Sequence, residues 1–463
     1  MDPTRAGRPV SVNRRQSLKI LMLPQLLMVG NSQVFSGLGI NRDEALENRL
    51  EFSKRLYVLA NAMLDALDEK DMPEELPDDP QTALEALGQV LTLEKEKCFE
   101  ALDDLREIGA PMYAELSEEL VNVFRRLGFH ASEGDDEHTE LPLNFLVTQN
   151  HENTKAPILW EMMYQGNQTE WPPKWEKFWG FRAPITQWLA QMDRSETIEL
   201  GRALSVVNQD LDFSGHEVTL LVQYLNQRRL RGLEEVFRQQ VHKALQERMR
   251  QDAGQIDAWW EQCETQGNDW LGYFLSWLAN KREEKRWKRR ALQSIFKDSP
   301  QYDLIHFACH CSASEVEFLS ELEIKVAGGC VSLNVGFMSS DLKRKSEWQL
   351  KDPGPLVFLN ACGTGQQSDH HQPPGFPVEW IQAQGAKAVI VTLCPVPDYF
   401  AYAFALKFYD ILLNVKPFVD EALLETRRFF MRKYNNPLGL AYVLYAVKDA
   451  QVLADFEPEG GAL

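Results

Sequence analysis

Two short apolar segments carry the side chains most able to do chemistry. The segment "IHFACHC" (305–311) places two histidines and two cysteines in what otherwise looks like a buried strand. The segment "PLVFLNACGTG" (355–365) is an apolar run that ends in Cys362 and a glycine-rich turn. His310 and Cys362 each close a predicted strand, and neighbouring parallel strands bring their carboxyl ends to one edge of a sheet. A thiol within reach of an imidazole is what nucleophilic thiol catalysis requires, so the pair is a candidate Cys-His dyad.

A zinc site is an alternative interpretation of the first segment. Successive side chains of a strand point to opposite faces, so His310 and its neighbours Cys309 and Cys311 cannot converge on one ion in an unbroken strand. A structural zinc site uses four ligands, usually from paired C-x₂₋₄-C motifs. The sequence has no partner pair, although His370 and His371 could be recruited. The spacing therefore favours thiol chemistry over a metal. A purely structural role for both dyad residues is the other alternative.

The composition limits the classes of function. The chain has 463 residues, 44% of them hydrophobic and 25% charged, which is typical of a globular protein. Its formal net charge of −19 argues against nucleic acid as the main partner, because phosphate binding requires a cationic surface. The basic segment 281–290, "KREEKRWKRR", is interpreted as the solvated face of a helix. The seven cysteines have no regular spacing, which indicates a reducing cytoplasm rather than a disulfide framework.

The N-terminal segment 13–30, "NRRQSLKILMLPQLLMVG", has paired arginines before an apolar run and so resembles a twin-arginine export signal. Lys19, Pro24 and Gln25 interrupt the run, and no A-x-A cleavage pattern follows it. We therefore expect a strand behind a flexible basic tail, residues 1–15, rather than export. No segment reaches the roughly 18–20 apolar residues of a membrane span, so a cytoplasmic location is predicted.

Two regions with different patterns of apolar residues follow the tail. Residues 16–130 are predicted to be mostly helical, because apolar side chains recur at helical spacing around a proline-rich break at 72–80. From residue 131 onward, short apolar runs alternate with helical patterns. Runs without polar alternation are typical of strands covered on both faces, so residues 131–463 predict an α/β fold with a mainly parallel sheet. A helical, Trp-rich insertion is expected around 225–300.

The individual elements can be predicted as well. In the first region, helices are expected at about 82–108 and 113–128, and in the second at 398–413 and 420–434. The predicted strands are "LPLNFLVT" (141–148), "PILWEMMY" (157–164), "ALSVVN" (203–208), "DLIHFAC" (303–309), "CVSLNV" (330–335), "PLVFLNAC" (355–362), "AKAVIVTL" (386–393) and "AYVLYAV" (441–447).

Several of these segments together resemble the CHAT domain, a bacterial cysteine protease family related to caspases and separase. The resemblance is carried by "YDLIHFACHC", "PLVFLNACGTG" and "GAKAVIVTLCPVPD", and "AYVLYAV" is similar to the family's final strand. "PILWEMMY" and "FRAPITQW" are similar to its upstream segment. The likeness is specific over 301–413 and weaker over 105–190. It implies a caspase-like three-layer sandwich preceded by a helical N-terminal region.

The resemblance also implies catalytic roles. Cys362 would be the nucleophile, and His310 the base that later protonates the leaving amine. The backbone N–H groups of Cys311 and Cys362 would form the oxyanion hole. Position 311 departs from the family, which usually has glycine after the catalytic histidine.

Three further residues are implied in the substrate pocket, namely Asn360, Gln187 and Asp398. Gln187 stands where the family often has an arginine, and in caspases an arginine near that point helps to bind acidic substrate residues. A preference for aspartate is therefore not predicted.

The function implied is that of a cysteine endopeptidase that cleaves a specific protein partner through a thioester acyl-enzyme. No cofactor is expected, since the sequence lacks GxxxxGK[ST], HExxH and GxSxG motifs. Relatives act in bacterial defence on a gasdermin-like pore former or a CRISPR-associated protein, and these are the expected substrate classes. The short, proline-containing loop 363–377 predicts control by an activating partner or signal rather than by cleavage. The alternative is a non-catalytic scaffold or sensor that docks a partner through its helical N-terminal region.

Overall fold

The structure is a computed structural model, and most of the chain is described by it. The described residues are 42–65, 67, 72–73, 75–114, 145–149, 159–166, 168–189, 197–224, 230–249, 253–265, 269–278, 280–297, 302–312, 321–338, 354–361, 375–446 and 450–453. The predicted basic tail, the N-terminal strand and most of the predicted helix at 113–128 lie outside these residues.

Helices and strands alternate over the second half of the chain. In chain order they are α1 (Arg42–Asp65), α2 (Pro80–Ala86), α3 (Gly88–Leu91), α4 (Lys95–Ala114), β1 (Phe145–Gln149), α5 (Trp179–Arg182), β2 (Ile185–Leu189), β3 (Thr197–Glu199), β4 (Ala203–Val207), α6 (Ser214–Tyr224), β5 (Leu230–Gly232), α7 (Leu233–Arg248), α8 (Ala253–Thr265), α9 (Trp270–Trp277), α10 (Lys281–Lys297), β6 (Leu304–Ser312), β7 (Glu321–Val326), β8 (Gly329–Asn334), α11 (Val335–Phe337), β9 (Leu356–Ala361), α12 (Gly375–Val378), β10 (Ala388–Thr392), α13 (Asp398–Asn414), α14 (Val419–Tyr434), β11 (Tyr442–Ala446) and β12 (Gln451–Leu453).

One large sheet contains most of the strands between residues 145 and 446. Its strands lie in the order β1-β2-β11-β10-β9-β6-β4-β5, and β7 and β8 extend the sheet beyond the end of β6. The strands β10, β9, β6, β4 and β5 run parallel to one another, whereas β11 is antiparallel to β10. Strands β1, β2 and β11 are again mutually parallel. The predicted mainly parallel α/β sheet is confirmed.

Helices cover both faces of this sheet, because its central strands are apolar on both sides. All described residues of β9, β10 and β11 are buried. On one face, Phe358 of β9 packs against Phe408 of α13 with 5.3 Å between ring centroids. On the other face, Phe307 of β6 packs against Trp380, in the π-helical turn that follows α12. The result is the predicted three-layer sandwich.

The segment "PILWEMMY" was predicted as a strand, and the structure corrects this. It forms a 3-10 turn, Trp160–Met162, followed by an isolated bridge from Tyr164 to Phe178. Its side chains fill space between helices: Trp160 stacks on Trp179 of α5 at 6.0 Å. The apolar run therefore serves interhelical packing rather than strand pairing.

One further element differs from the sequence prediction. The helix expected at 82–108 is broken into α2, α3 and α4 by turns around Leu87 and Thr92.

The predicted strand "CVSLNV" is confirmed as β8, which pairs antiparallel with β7. Buried and half-exposed residues alternate along both of these strands, which is the pattern of a ribbon covered on one face only.

The N-terminal helices pack directly on the α/β region. Helix α1 packs on α4, and the guanidinium of Arg49 donates a hydrogen bond of 2.9 Å to the Tyr445 hydroxyl in β11. Gly109 of α4 lies so close to the 160–162 turn that an added Cβ would overlap the carbonyl oxygen of Met162. Among the helices that the structure describes, none is long and apolar enough to cross a membrane.

The Trp-rich insertion is a helical unit built around aromatic rings. Trp259, Trp270 and Trp287 are buried, and the ring of Phe274 lies 4.9 Å from that of Trp287. The basic segment 281–290 forms the first part of α10, and most of its charged residues are exposed. The aromatic residues thus form a core, and the cations lie on a solvated helix face.

Candidate active site

His310 lies at the carboxyl end of β6 and is exposed. It pairs with Glu323 of β7 on one side, and the next residue, Cys311, pairs with Leu322. Cys309, which precedes it, is buried. The alternation of a strand therefore separates an exposed imidazole from a buried thiol, as the sequence predicted.

Strand β9 lies directly beside β6 and runs parallel to it. The register joins His306 to Phe358, Ala308 to Asn360 and Cys309 to Ala361. Cys362 follows Ala361 and lies outside the described residues, as does most of the loop 363–377. The contact between His310 and Cys362 and the proposed oxyanion hole thus stay predictions.

A buried carboxylate connects these two strands just below the edge. Glu217 of α6 is 1% exposed. Its Oε2 lies 2.6 Å from Nε2 of His306 in β6. Its Oε1 accepts a hydrogen bond of 2.8 Å from the Nδ2 group of Asn360 in β9. One side chain thus bridges the strand of His310 and the strand that leads to Cys362.

Two tyrosines complete this hydrogen-bond network. The hydroxyl of Tyr409 in α13 lies 2.9 Å from Nδ1 of His306. The hydroxyl of Tyr442 in β11 donates a bond of 2.8 Å to Oδ1 of Asn360. Burial and the negative charge of Glu217 raise the pKa of Tyr409 well above its usual range, so its hydroxyl stays protonated and donates. His306 is assigned as the tautomer that accepts at Nδ1 and donates from Nε2, since this satisfies every bond in the chain.

Asp398 reaches the same edge of the sheet from the next strand. It is the first residue of α13, a few residues after β10, and its Oδ2 accepts a hydrogen bond of 3.1 Å from the backbone N–H of Phe213. Burial and the nearby charge of Glu217 raise the pKa of Asp398 to about 6. Nearby, Thr392 donates a bond of 2.7 Å to the carbonyl of Ala361, which ties the end of β9 to the end of β10.

Gln187 lies elsewhere. It is fully buried on β2, paired with Tyr445, and its side chain lies beside Glu161. Three strands, β11, β10 and β9, separate β2 from the strand of His310. The structure brings His310, Asn360 and Asp398 to one edge and leaves Gln187 in the interior.

Glu217 is not among the site residues predicted from the sequence. A signal was present: Phe213, Glu217, Leu221 and Tyr224 recur at steps of four, four and three residues. This spacing places one carboxylate on the apolar face of a helix, where an acidic residue is costly unless it is hydrogen-bonded. Its partners lie in other elements, so the sequence could mark the anomaly but not explain it.

Comparison with known proteins gives two findings. The model of the CHAT domain family matches residues 146–438. A curated protein named "Probable protease", from Vitiosangium sp. (strain GDMCC 1.1324), is 28% identical over 108 residues. These residues are 23% of this chain and only 14% of the relative.

Proposed function

Because this chain belongs to the CHAT domain family, we propose that it is a cysteine endopeptidase with Cys362 as nucleophile and His310 as general base. The observation that carries the proposal is the register of β6 and β9. These strands are adjacent and parallel up to the pair Cys309 and Ala361. We propose that this register continues for one more residue, which would place position 310 beside position 362.

The proposed reaction uses only groups of the chain and water. His310 accepts the thiol proton of Cys362, and the thiolate attacks the carbonyl carbon of the scissile peptide bond. Backbone N–H groups of Cys311 and Cys362 stabilise the resulting oxyanion. The C–N bond then breaks, His310 gives its proton to the leaving amine, and a thioester remains. A water molecule, deprotonated by His310, hydrolyses the thioester and restores the thiol.

The surroundings support different roles for the other predicted residues. Asp398 lies at the same edge as His310, and we keep it in the proposed substrate pocket. Asn360 is buried, and both ends of its amide are hydrogen-bonded to Glu217 and Tyr442. We therefore propose that Asn360 supports the strand rather than contacts the substrate. Gln187 is left out of the proposed pocket.

A protein is the proposed substrate, in keeping with the relative named as a protease. By resemblance to the family, we propose a gasdermin-like pore former or a CRISPR-associated protein as the target, in bacterial defence in the cytoplasm. We also propose that an activating partner or signal reorders the loop 363–377, which would shift the population toward a competent state.

The reactivity of the thiol tests the dyad without knowledge of the substrate. We expect iodoacetamide to modify Cys362 at pH 7 at least roughly tenfold faster in the wild type than in His310→Ala, because a neighbouring imidazole stabilises the thiolate. The modified residue is identified by peptide mass spectrometry, with Cys311→Ala as a control that keeps its backbone N–H.

Cleavage itself is tested in a protein mixture by mass spectrometry of newly formed N-termini. Wild type and Cys311→Ala should produce the same new termini, and Cys362→Ala should produce none. Equal alkylation rates in wild type and His310→Ala, together with termini independent of Cys362, would favour the non-catalytic scaffold instead.

A further inference from the structure

We propose that Glu217 is a positioning residue that holds the strands of His310 and Cys362 at a fixed offset. The inference rests on the proposed function, because it assigns Glu217 a part in that same site. A buried hydrogen-bond network around Glu217 supports this role.

The carboxylate joins the two strands at register positions two residues apart. His306 lies four residues before His310 on β6, and Asn360 lies two residues before Cys362 on β9. Even-numbered steps along a strand keep side chains on one face, so His306 shares a face with His310, and Asn360, whose register partner is Ala308, lies on that face too. The two bonds, of 2.6 and 2.8 Å, cross diagonally from one strand to the other.

The network fixes Glu217 from both sides. Tyr409 holds His306 from α13, and Tyr442 holds Asn360 from β11, at 2.9 and 2.8 Å. In this arrangement His306 and Asn360 donate to the carboxylate, and the hydroxyls of Tyr409 and Tyr442 donate to His306 and Asn360 in turn. Such a chain of bonds in a buried setting has few alternative arrangements, so it resists sliding of β6 against β9.

The expected effect on catalysis follows from exposure and distance. A side chain that is 1% exposed does not contact a protein substrate, so its loss should leave substrate binding intact. A displacement of about 1 Å between nucleophile and base can lower the rate by about 100-fold. Removal of Glu217 should therefore lower kcat by roughly 10- to 100-fold with little change in KM.

The test compares Glu217→Leu with Leu221→Ala, one turn along the same helix. Leu221 is fully buried and apolar, so its truncation destabilises α6 without removing a polar bond. The first readout is the alkylation rate of Cys362 by iodoacetamide between pH 5 and 9. In Glu217→Leu the alkylation rate should still increase with pH, but the midpoint of that increase should move toward the pKa of a free thiol, about 8.5. In Leu221→Ala the midpoint should be that of the wild type, even if its Tm falls as much as the Tm of Glu217→Leu.

The second readout is kcat and KM on the peptide identified from the newly formed N-termini. Glu217→Gln serves as the conservative variant: His306 can change tautomer and accept from the new amide, so most of kcat should return. Equal losses of kcat in Glu217→Leu and Leu221→Ala would overturn the positioning role. A wild-type pH profile of alkylation in Glu217→Leu would overturn it as well. Unchanged cleavage in Cys362→Ala and His310→Ala would instead contradict the proposed function itself. A failure of the positioning role can therefore be told apart from a failure of the proposed function.

Discussion

Two buried carboxylates, Glu217 and Glu161, are held in opposite ways. Glu217 is hydrogen-bonded to the imidazole of His306 and the amide of Asn360. Glu161 is completely buried and lies 3.5 Å from the guanidinium of Arg427, which is itself 1% exposed. Burial raises the pKa of Glu161, and the positive charges of Arg427 and Arg49 oppose that rise. One acid is stabilised by hydrogen-bond geometry and the other by charge.

The two carboxylates also connect different parts of the fold. Around Glu161, Arg427 also donates hydrogen bonds to the carbonyls of Gly180 and Tyr442, and Arg49 reaches Tyr445 from α1. This cluster joins the N-terminal helices, α5 and α14 to the sheet. Removing one partner of a buried ion pair costs far more than the pair contributes, because the other charge stays buried. We therefore expect the Glu161 cluster to determine stability and the Glu217 network to determine activity.

The largest effect is expected from Arg427→Met. This change leaves Glu161 buried beside a single guanidinium, so the free energy of unfolding should fall by about 3–5 kcal/mol. The measurement is Tm by calorimetry, with Arg432→Met as the control. Arg432 is on the same helix but exposed, so its substitution should change Tm little. A similar Tm for both variants would show that the ion pair does not hold the fold.

The second prediction compares the tyrosines of the two clusters. Tyr445→Phe removes the acceptor of a charged donor, Arg49, and should cost about 1.5–3 kcal/mol. Tyr409→Phe removes a neutral bond to His306 and should cost about 0.5–1.5 kcal/mol. Alkylation of Cys362 should be slowed only by Tyr409→Phe. The reverse pattern, with the rate lost in Tyr445→Phe, would contradict the division between stability and activity.

The third prediction tests the docking of α4 without changing a charge. In Gly109→Ala the new Cβ meets the carbonyl of Met162, so the free energy of unfolding should fall by about 1–3 kcal/mol. Gly215→Ala is the matched control, because a Cβ there meets nothing within 4 Å. Chemical denaturation of both variants measures the difference. A stable Gly109→Ala would mean that α4 can shift without loss.

The smallest effect concerns pH. The pKa of Asp398 is about 6, above the value of about 3.9 in an unfolded chain, so the folded state binds the proton more tightly. Stability should fall as pH rises from about 4 to about 6, and the loss should persist above that range. Asp398→Asn can still accept the N–H of Phe213 and removes the titration. The free energy of unfolding of this variant, followed through Tm, should equal that of the wild type near pH 4 and exceed it at pH 8. A constant difference across this range would refute the assignment.

Apolar runs predicted most strands, because strands buried on both faces leave a strong local pattern. The same pattern failed at "PILWEMMY", where Glu161 in the middle of the run is explained by Arg427 and Arg49, both far away in the chain. The position of His310 at a strand end could also be predicted. The role of Glu217 could not, since its partners come from two strands. The place of Gln187, buried on β2 and three strands away from β6, also depends on a strand order that a motif does not contain. Local patterns predict elements, whereas partners of buried polar groups depend on the assembled fold.

The bond between Arg49 and Tyr445 has a consequence for how the protein is made. Its two residues are 396 positions apart in the chain. At a synthesis rate of 5–20 residues per second, about 20–80 s pass between the appearance of α1 and that of its partner strand. The strands that carry the proposed dyad, β6 and β9, are both made before β11. The antiparallel neighbour of β10 and the hydroxyl that Arg49 binds are therefore added last, so the sheet around the proposed site is complete only once residues 442–446 have been synthesised.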